Sequence, residues 1–164
     1  LLFYPNSPFL GISSNELIKI KFEVDINPPK YANFEPQFKL LPAPYEVNLY
    51  DAPSLFAGKL HAVICRSWKN RIKGRDLYDY VFYLSKGTKF NLPHLKERLV
   101  QTGAIAPEKN LTIDDVKNML IEKFDAIDYD QAKKDVIPFI KDTKSIDIWS
   151  ANFFKAITQG LRCE

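Results

Sequence analysis

The hydrophobic pattern changes period along the chain. From Glu16 to Ile26 it alternates strictly, with Ile18, Ile20, Phe22, Val24 and Ile26 on one side and Lys19, Lys21, Glu23 and Asp25 on the other. A period of two predicts a half-buried strand, ended by Asn27-Pro28-Pro29. The segment from Tyr31 to Pro44 is expected to be a loop with a short strand at Phe38 to Leu41, and YEVNLY at 45–50 is a further strand candidate. Beyond it the pattern becomes helical. Two helices are predicted, from about Pro53 to Ser67 and from about Asp76 to Ser85, the second stopping near Gly87. Asn91 can cap a helix that opens at Pro93 and ends near Gly103. Thr112 and Asp115 have capping-box spacing before Val116, Leu120 and Phe124. Tyr129, Ala132, Val136 and Ile140 mark another helix, kinked at Pro138, and Trp149, Phe153, Ile157 and Gly160 a last one.

Strands first and helices after define an α+β class. The expected division is a core over residues 1–90, holding the strands and the two central helices, and a helical bundle over 91–164. The soft boundary nearest a linker is 103–111.

The two central helices carry an unusual distribution of charge. At about 100° per residue, Lys59 and Arg66 fall nearly together, among Leu55, Phe56, Ala62 and Val63. On the next helix Asp76 and Asp79 share a face with Tyr80 and Tyr83, while Leu77, Val81 and Leu84 form the packing side. A charge in low dielectric costs several kcal/mol unless it is paired. The cations are therefore expected to meet the carboxylates in a cleft, with Lys59 facing Asp76. The alternative is that Lys59 runs its stem along apolar neighbours and keeps its ammonium in water.

Composition narrows the classes without choosing among them. Hydrophobic residues make up 46% of the 164 and aromatic ones 13%, enough for a packed core. The net charge of +3 is too mild to mark a nucleic-acid binder, so local clustering has to carry that argument. Two cysteines suggest no disulfide framework, and two histidines make a zinc site an unpromising reading. The chain shows neither a run of roughly 18 apolar residues nor a signal peptide. The expectation is a cytoplasmic protein without a membrane partner.

Two stretches could bind phosphate or metal. On a strand, Glu23 and Asp25 would lie roughly 6.5 to 7 Å apart on one face, a spacing that can share divalent cations; a solvated strand face is the plainer reading. The run RSWKNRIKGR at 66–75 sets Arg66, Lys69, Arg71, Lys73 and Arg75 near Trp68. It could hold phosphates or RNA, or be a solvated loop. Walker and dinucleotide-binding loops are absent.

IKIKFEVDINPP, followed by YDAPSLFAGKLHAVICRSWKNRIKGRDLYDYVFYL, resembles the AbiEii/AbiGii family of nucleotidyltransferase toxins. The similarity continues through FNLPHL, LTIDDV and QAKKDVIPF. It implies a partial polymerase-β-like nucleotidyltransferase sheet followed by a C-terminal helical bundle, in an abortive-infection or toxin–antitoxin toxin. It also implies transfer of a nucleotide from an NTP to RNA, tRNA acceptor ends included, with Mg²⁺ or Mn²⁺ as cofactor and a cognate antitoxin as partner. By the same resemblance Lys21-Phe22-Glu23 matches the motif with the strand carboxylate, Lys59 the motif lysine, and Asp76 and Asp79 the Asp-x-x-Asp motif. The expected catalytic set is Lys59, Asp76 and Glu23. Lys21, Arg66, Lys73, Arg75 and Asp79 would bind nucleotide or RNA, and Glu23 and Asp25 would bind metal.

The family's first motif, a Gly-Ser turn and an Asp-x-Asp strand, has no match. GISS at 11–14 lies too close to Glu23 to supply both. That motif is expected upstream of Leu1, which would leave this stretch incomplete as a catalyst and one sheet edge open to pairing with a second copy. The alternative is a degenerate, non-catalytic module that binds nucleotide or RNA.

Overall fold

A computed structural model describes residues 21–67 and 72–164. It is a mixed α+β chain: an antiparallel hairpin of β1 (Phe34–Lys39) and β2 (Tyr45–Tyr50) precedes six helices. These are α1 (Ala52–Cys65), α2 (Gly74–Ser85), α3 (Leu92–Gln101), α4 (Ile113–Asp125), α5 (Tyr129–Val136) and α6 (Ala151–Thr158).

Helix starts follow the capping chemistry of the sequence. The Asp51 carboxylate accepts from the Ser54 amide at 2.8 Å and opens α1 ahead of Pro53. Asn91 accepts from the His94 amide at 2.9 Å and opens α3. Thr112 and Asp115 form a reciprocal capping box at α4. Gly87 and Gly103, at φ +64° and +72°, turn the chain after α2 and α3 in the left-handed region that glycine enters without strain. After α5 the chain tightens into a 3-10 turn at Ile137–Phe139, where Pro138 lacks the N–H that would continue the α-helix.

One apolar core gathers residues from every helix and from both sides of residue 90. Phe56, Leu60 and Val63 of α1 meet Leu77 and Tyr80 of α2, Leu95 and Leu99 of α3, and Leu120 and Phe124 of α4. Phe154 of α6 closes an aromatic cluster, with ring centroids 5.0 Å from Phe124, 5.5 Å from Trp149 and 5.6 Å from Tyr129.

Three local expectations need correction. Residues 21–26 belong to no strand: Phe22 is 90% and Ile26 95% exposed, so the apolar side of that stretch does not pack on the central helices. Alternation becomes a strand only where a partner edge and an apolar layer are present, and β1 and β2 pair with each other. The rest of that predicted strand, with Ile18 and Ile20, lies outside the described residues. Second, the hairpin's first strand starts at Phe34, well before Phe38. Pro36 lies inside β1, and in a two-stranded ribbon each strand has a free edge, which tolerates a missing donor. Third, Tyr80 joins the packing side of α2 with Leu77. It is fully buried, and its hydroxyl lies 2.8 Å from that of Thr158, which donates to the Phe154 carbonyl at 2.7 Å.

Candidate functional site

The central helices build a cleft from the charges that their apolar faces could not absorb. It occupies roughly 220 Å³ and is lined by Tyr50, Ser54, Lys59, Arg66, Asp76 and Arg98, among others. Lys59 sits mid-way along α1. Arg66 follows the helix's last residue with extended backbone, and its side chain turns back toward α2. Asp76 lies in the first turn of α2, where the helix dipole favours a carboxylate.

Lys59 and Asp76 line this one cleft, as the wheel predicts, but the ion pairs are crossed. Lys59 Nζ meets Asp79 Oδ2 at 2.6 Å, and Arg66 Nη1 bonds to Asp76 Oδ2. The reason is geometric. Arg66 caps the end of α1 beside the start of α2, whereas Lys59 lies two turns back, level with Asp79. The Lys59–Asp79 pair is partly open to water, at 40% and 34% side-chain exposure, while the Asp76 side chain is only 8% exposed. Burial pushes the Asp76 carboxyl above the usual carboxylate range, and Arg66 and Lys59 offset part of that rise. Tyr83, rising for the same reason, is held back by Lys59.

A polar network braces the cleft from behind. The Asn91 side-chain amide donates to the Tyr31 carbonyl at 2.8 Å and to Ser54 Oγ at 3.3 Å, and Ser54 Oγ accepts from the Asn33 amide at 2.9 Å. His94 Nδ1 donates to the Lys30 carbonyl at 2.7 Å, which leaves Nε2 to accept from Arg98 Nε at 3.0 Å. These bonds tie residues 30–33 to the N-termini of α1 and α3, and they carry the Arg98 side chain to the cleft wall.

The other sequence-predicted residues stand apart. Lys21 pairs with Glu23 on the exposed stretch, and Asp25 Oδ1 accepts from the Asn27 amide at 3.0 Å. Neither carboxylate touches Lys59 or Asp76. Arg75 lies over the Phe139 ring, 4.7 Å from its centroid. Lys73 precedes α2, close enough to act electrostatically on Asp76. Residues 68–71 of the basic run lie outside the described residues.

The described residues do not fit a metal. Among them no three His, Cys, Asp or Glu side chains converge. Asp76 and Asp79 already face cations, and Glu23 faces Lys21. A divalent ion at the cleft carboxylates would meet Arg66 and Lys59 at contact distance. The arrangement suits a phosphate anion better, since its cations are pre-oriented by carboxylates that the anion need not touch.

Lys59, Arg66, Asp76 and Asp79 come together from charges visible on the helical wheel, whereas Arg98, His94 and the Asn91–Ser54 link carry little sequence signal. The spacing of His94 and Arg98 at i and i+4 was the only available signal, and on a helix that spacing is too common to single out a site.

The cleft lies between helices whose sequences read Lys-x-x-Ala at 59–62 and Arg-Asp-x-x-Asp at 75–79. Residues 1–156 match the family described as nucleotidyl transferase AbiEii toxin, type IV TA system, and the chain belongs to that family. No curated protein and no solved structure matches it significantly. The family is one of nucleotidyl transferase toxins of toxin–antitoxin systems. No helix among the described residues is long and apolar enough to cross a membrane.

Proposed function

We propose that the protein transfers a nucleotide from an NTP to RNA, with tRNA acceptor ends the substrate class implied by the resemblance, as a toxin restrained by a cognate antitoxin. The observation that carries this reading is the convergence of Lys59, Arg66 and Asp76 on one cleft, with Asp79 paired to the lysine. In such a transfer an RNA hydroxyl attacks the α-phosphorus while the bond to pyrophosphate breaks, and charge builds on the leaving oxygens. Lys59 and Arg66 would neutralise that charge. Asp79 would hold the lysine, and Asp76 would fix the guanidinium and order the attacking hydroxyl. Lys73 lies near enough to extend the basic surface toward RNA.

A second reading, phosphate or RNA binding without chemistry, draws on one specific observation: every described carboxylate in or near the predicted site faces a cation or a backbone amide. One experiment separates the two. The full-length protein is incubated with total RNA and each labelled NTP in turn, in Mg²⁺ and in Mn²⁺. Label in RNA supports the enzyme. RNA or NTP binding without label in any combination supports the binding module.

A further inference from the structure

Among the described residues, Arg98 is the cleft cation that meets no carboxylate. Lys59 is matched by Asp79 and Arg66 by Asp76, whereas among the described residues the polar partner of the Arg98 side chain is the neutral ring of His94. The bond to His94 uses Nε and leaves both terminal nitrogens of the fork available. The guanidinium lies on α1 at Gly58, where an added Cβ would sit 3.6 Å from its carbon and from Nη2. Gly58 and Ala62 form one floor four residues apart, with Arg98 and Arg66 beside it. A second, larger cleft of roughly 750 Å³, running past His61, Cys65 and Thr102, shares these same four residues. Arg98 therefore stands where the two clefts join.

We infer that Arg98 is a phosphate-binding residue, taking with Arg66 a phosphate group that lies over Gly58 and Ala62. This rests on the reading of the cleft as a phosphate site. The phosphate could belong to the NTP or to the RNA backbone; the chemistry is the same, a planar fork donating to anionic oxygens. The second cleft gives the remainder of either molecule somewhere to lie. Among the described residues, the smaller cleft's cations Lys59, Arg66 and Arg98 are set against the two carboxylates Asp76 and Asp79, an imbalance that a bound phosphate would offset.

The test uses the full-length protein and two probes, inorganic tripolyphosphate and a short single-stranded oligoribonucleotide with a 5′-hydroxyl, titrated at fixed salt against wild type, Arg98→Gln and Lys59→Gln. Losing a charge-assisted fork should weaken binding roughly tenfold or more. A loss for tripolyphosphate assigns the phosphate to the nucleotide, and a loss for the oligoribonucleotide alone assigns it to RNA; both support the inference. Binding unchanged within about twofold in Arg98→Gln but weakened in Lys59→Gln overturns the inference and leaves the phosphate cleft standing. Wild type binding neither probe overturns both. Should Arg98→Gln not fold, phenylglyoxal modification of wild type with and without each probe gives the same answer by peptide mapping. Protection of Arg98 supports the inference, and protection of Arg66 alone overturns it.

Discussion

Gly74→Ala sets helix propensity against packing, and the structure decides the sign. Gly74 is the first residue of α2 and is buried. Its backbone does not lie in the left-handed region, so conformation alone does not demand glycine. On propensity, alanine in a helix gains up to about 1 kcal/mol over glycine. Packing opposes this strongly. A Cβ at Gly74 would fall 1.9 Å from the Ala132 carbonyl oxygen and 2.8 Å from its carbon, both backbone atoms of α5. Ordinary C···O contacts lie at about 3.3 Å, so α2 and α5 must part by more than about 1 Å. Neither side has a flexible side chain to yield, and the Ile72 amide bonded to Gln131 Oε1 at 3.0 Å resists the separation. Overpacking of this kind costs about 3 kcal/mol, which in a chain of this size lowers Tm by roughly 6 to 12 °C. Because Asp76 lies two residues further on, the shift should also loosen its bond to Arg66 and reduce phosphate affinity. Thermal melts by circular dichroism of wild type and variant decide the matter. A variant melting at or above wild type would refute the packing argument and leave propensity as the larger effect.

Lys59→Ala removes a half-exposed ion pair worth about 0 to 1 kcal/mol, so the variant should melt cooperatively near wild type yet lose toxicity in a growth assay; loss of the cooperative melt would mark a structural lysine instead. Tyr80→Phe should cost about 1 kcal/mol, the usual worth of a buried hydrogen bond, because Thr158 keeps its bond to the Phe154 carbonyl; urea titration measures it. Acidification should destabilise the fold through His94, whose pKa is lowered by burial and by Arg98, against opposing effects of the Lys30 carbonyl and Asp51. Below about 6.5 the unfolded chain takes up a proton that the folded ring refuses, so stability falls with pH through that window. The urea midpoint should therefore drop between about pH 7.5 and pH 5, and drop less in His94→Gln. His61, lowered mainly by burial, contributes in the same direction and should persist in that variant.

How much the sequence revealed depended on whether a signal was local. Helix starts at Asn91 and Thr112 and the stop at Gly87 were legible because caps and left-handed turns are decided within a few residues. The charges on α1 and α2 were legible because a helix fixes which residues share a face. Their pairing was not: the wheel cannot say how far α2 is offset along α1, and that offset joins Lys59 to Asp79 and Arg66 to Asp76. The stretch holding Glu23 and Asp25 shows the limit of periodicity, since alternation describes a strand only once a partner exists. Arg98 comes from sequence forty residues away and reaches the cleft through α3, a placement visible only in three dimensions.

The proposed transfer assigns the cleft around Asp76 to chemistry more than to stability. The most direct measurement is nucleotide transfer to RNA by Asp76→Asn in the full-length protein, with its thermal melt recorded beside it. The carboxyl is buried and pushed toward its neutral form, and Arg66, with 41% of its side chain exposed, can return to water when the carboxylate is removed. Removing the charge should therefore leave stability within about 1 kcal/mol of wild type, since a neutral isostere avoids the cost of burial. The expected result is a cooperative melt near that of wild type together with loss of labelled nucleotide in RNA. Transfer at the wild-type rate, or loss of transfer only together with loss of the folded state, would contradict it.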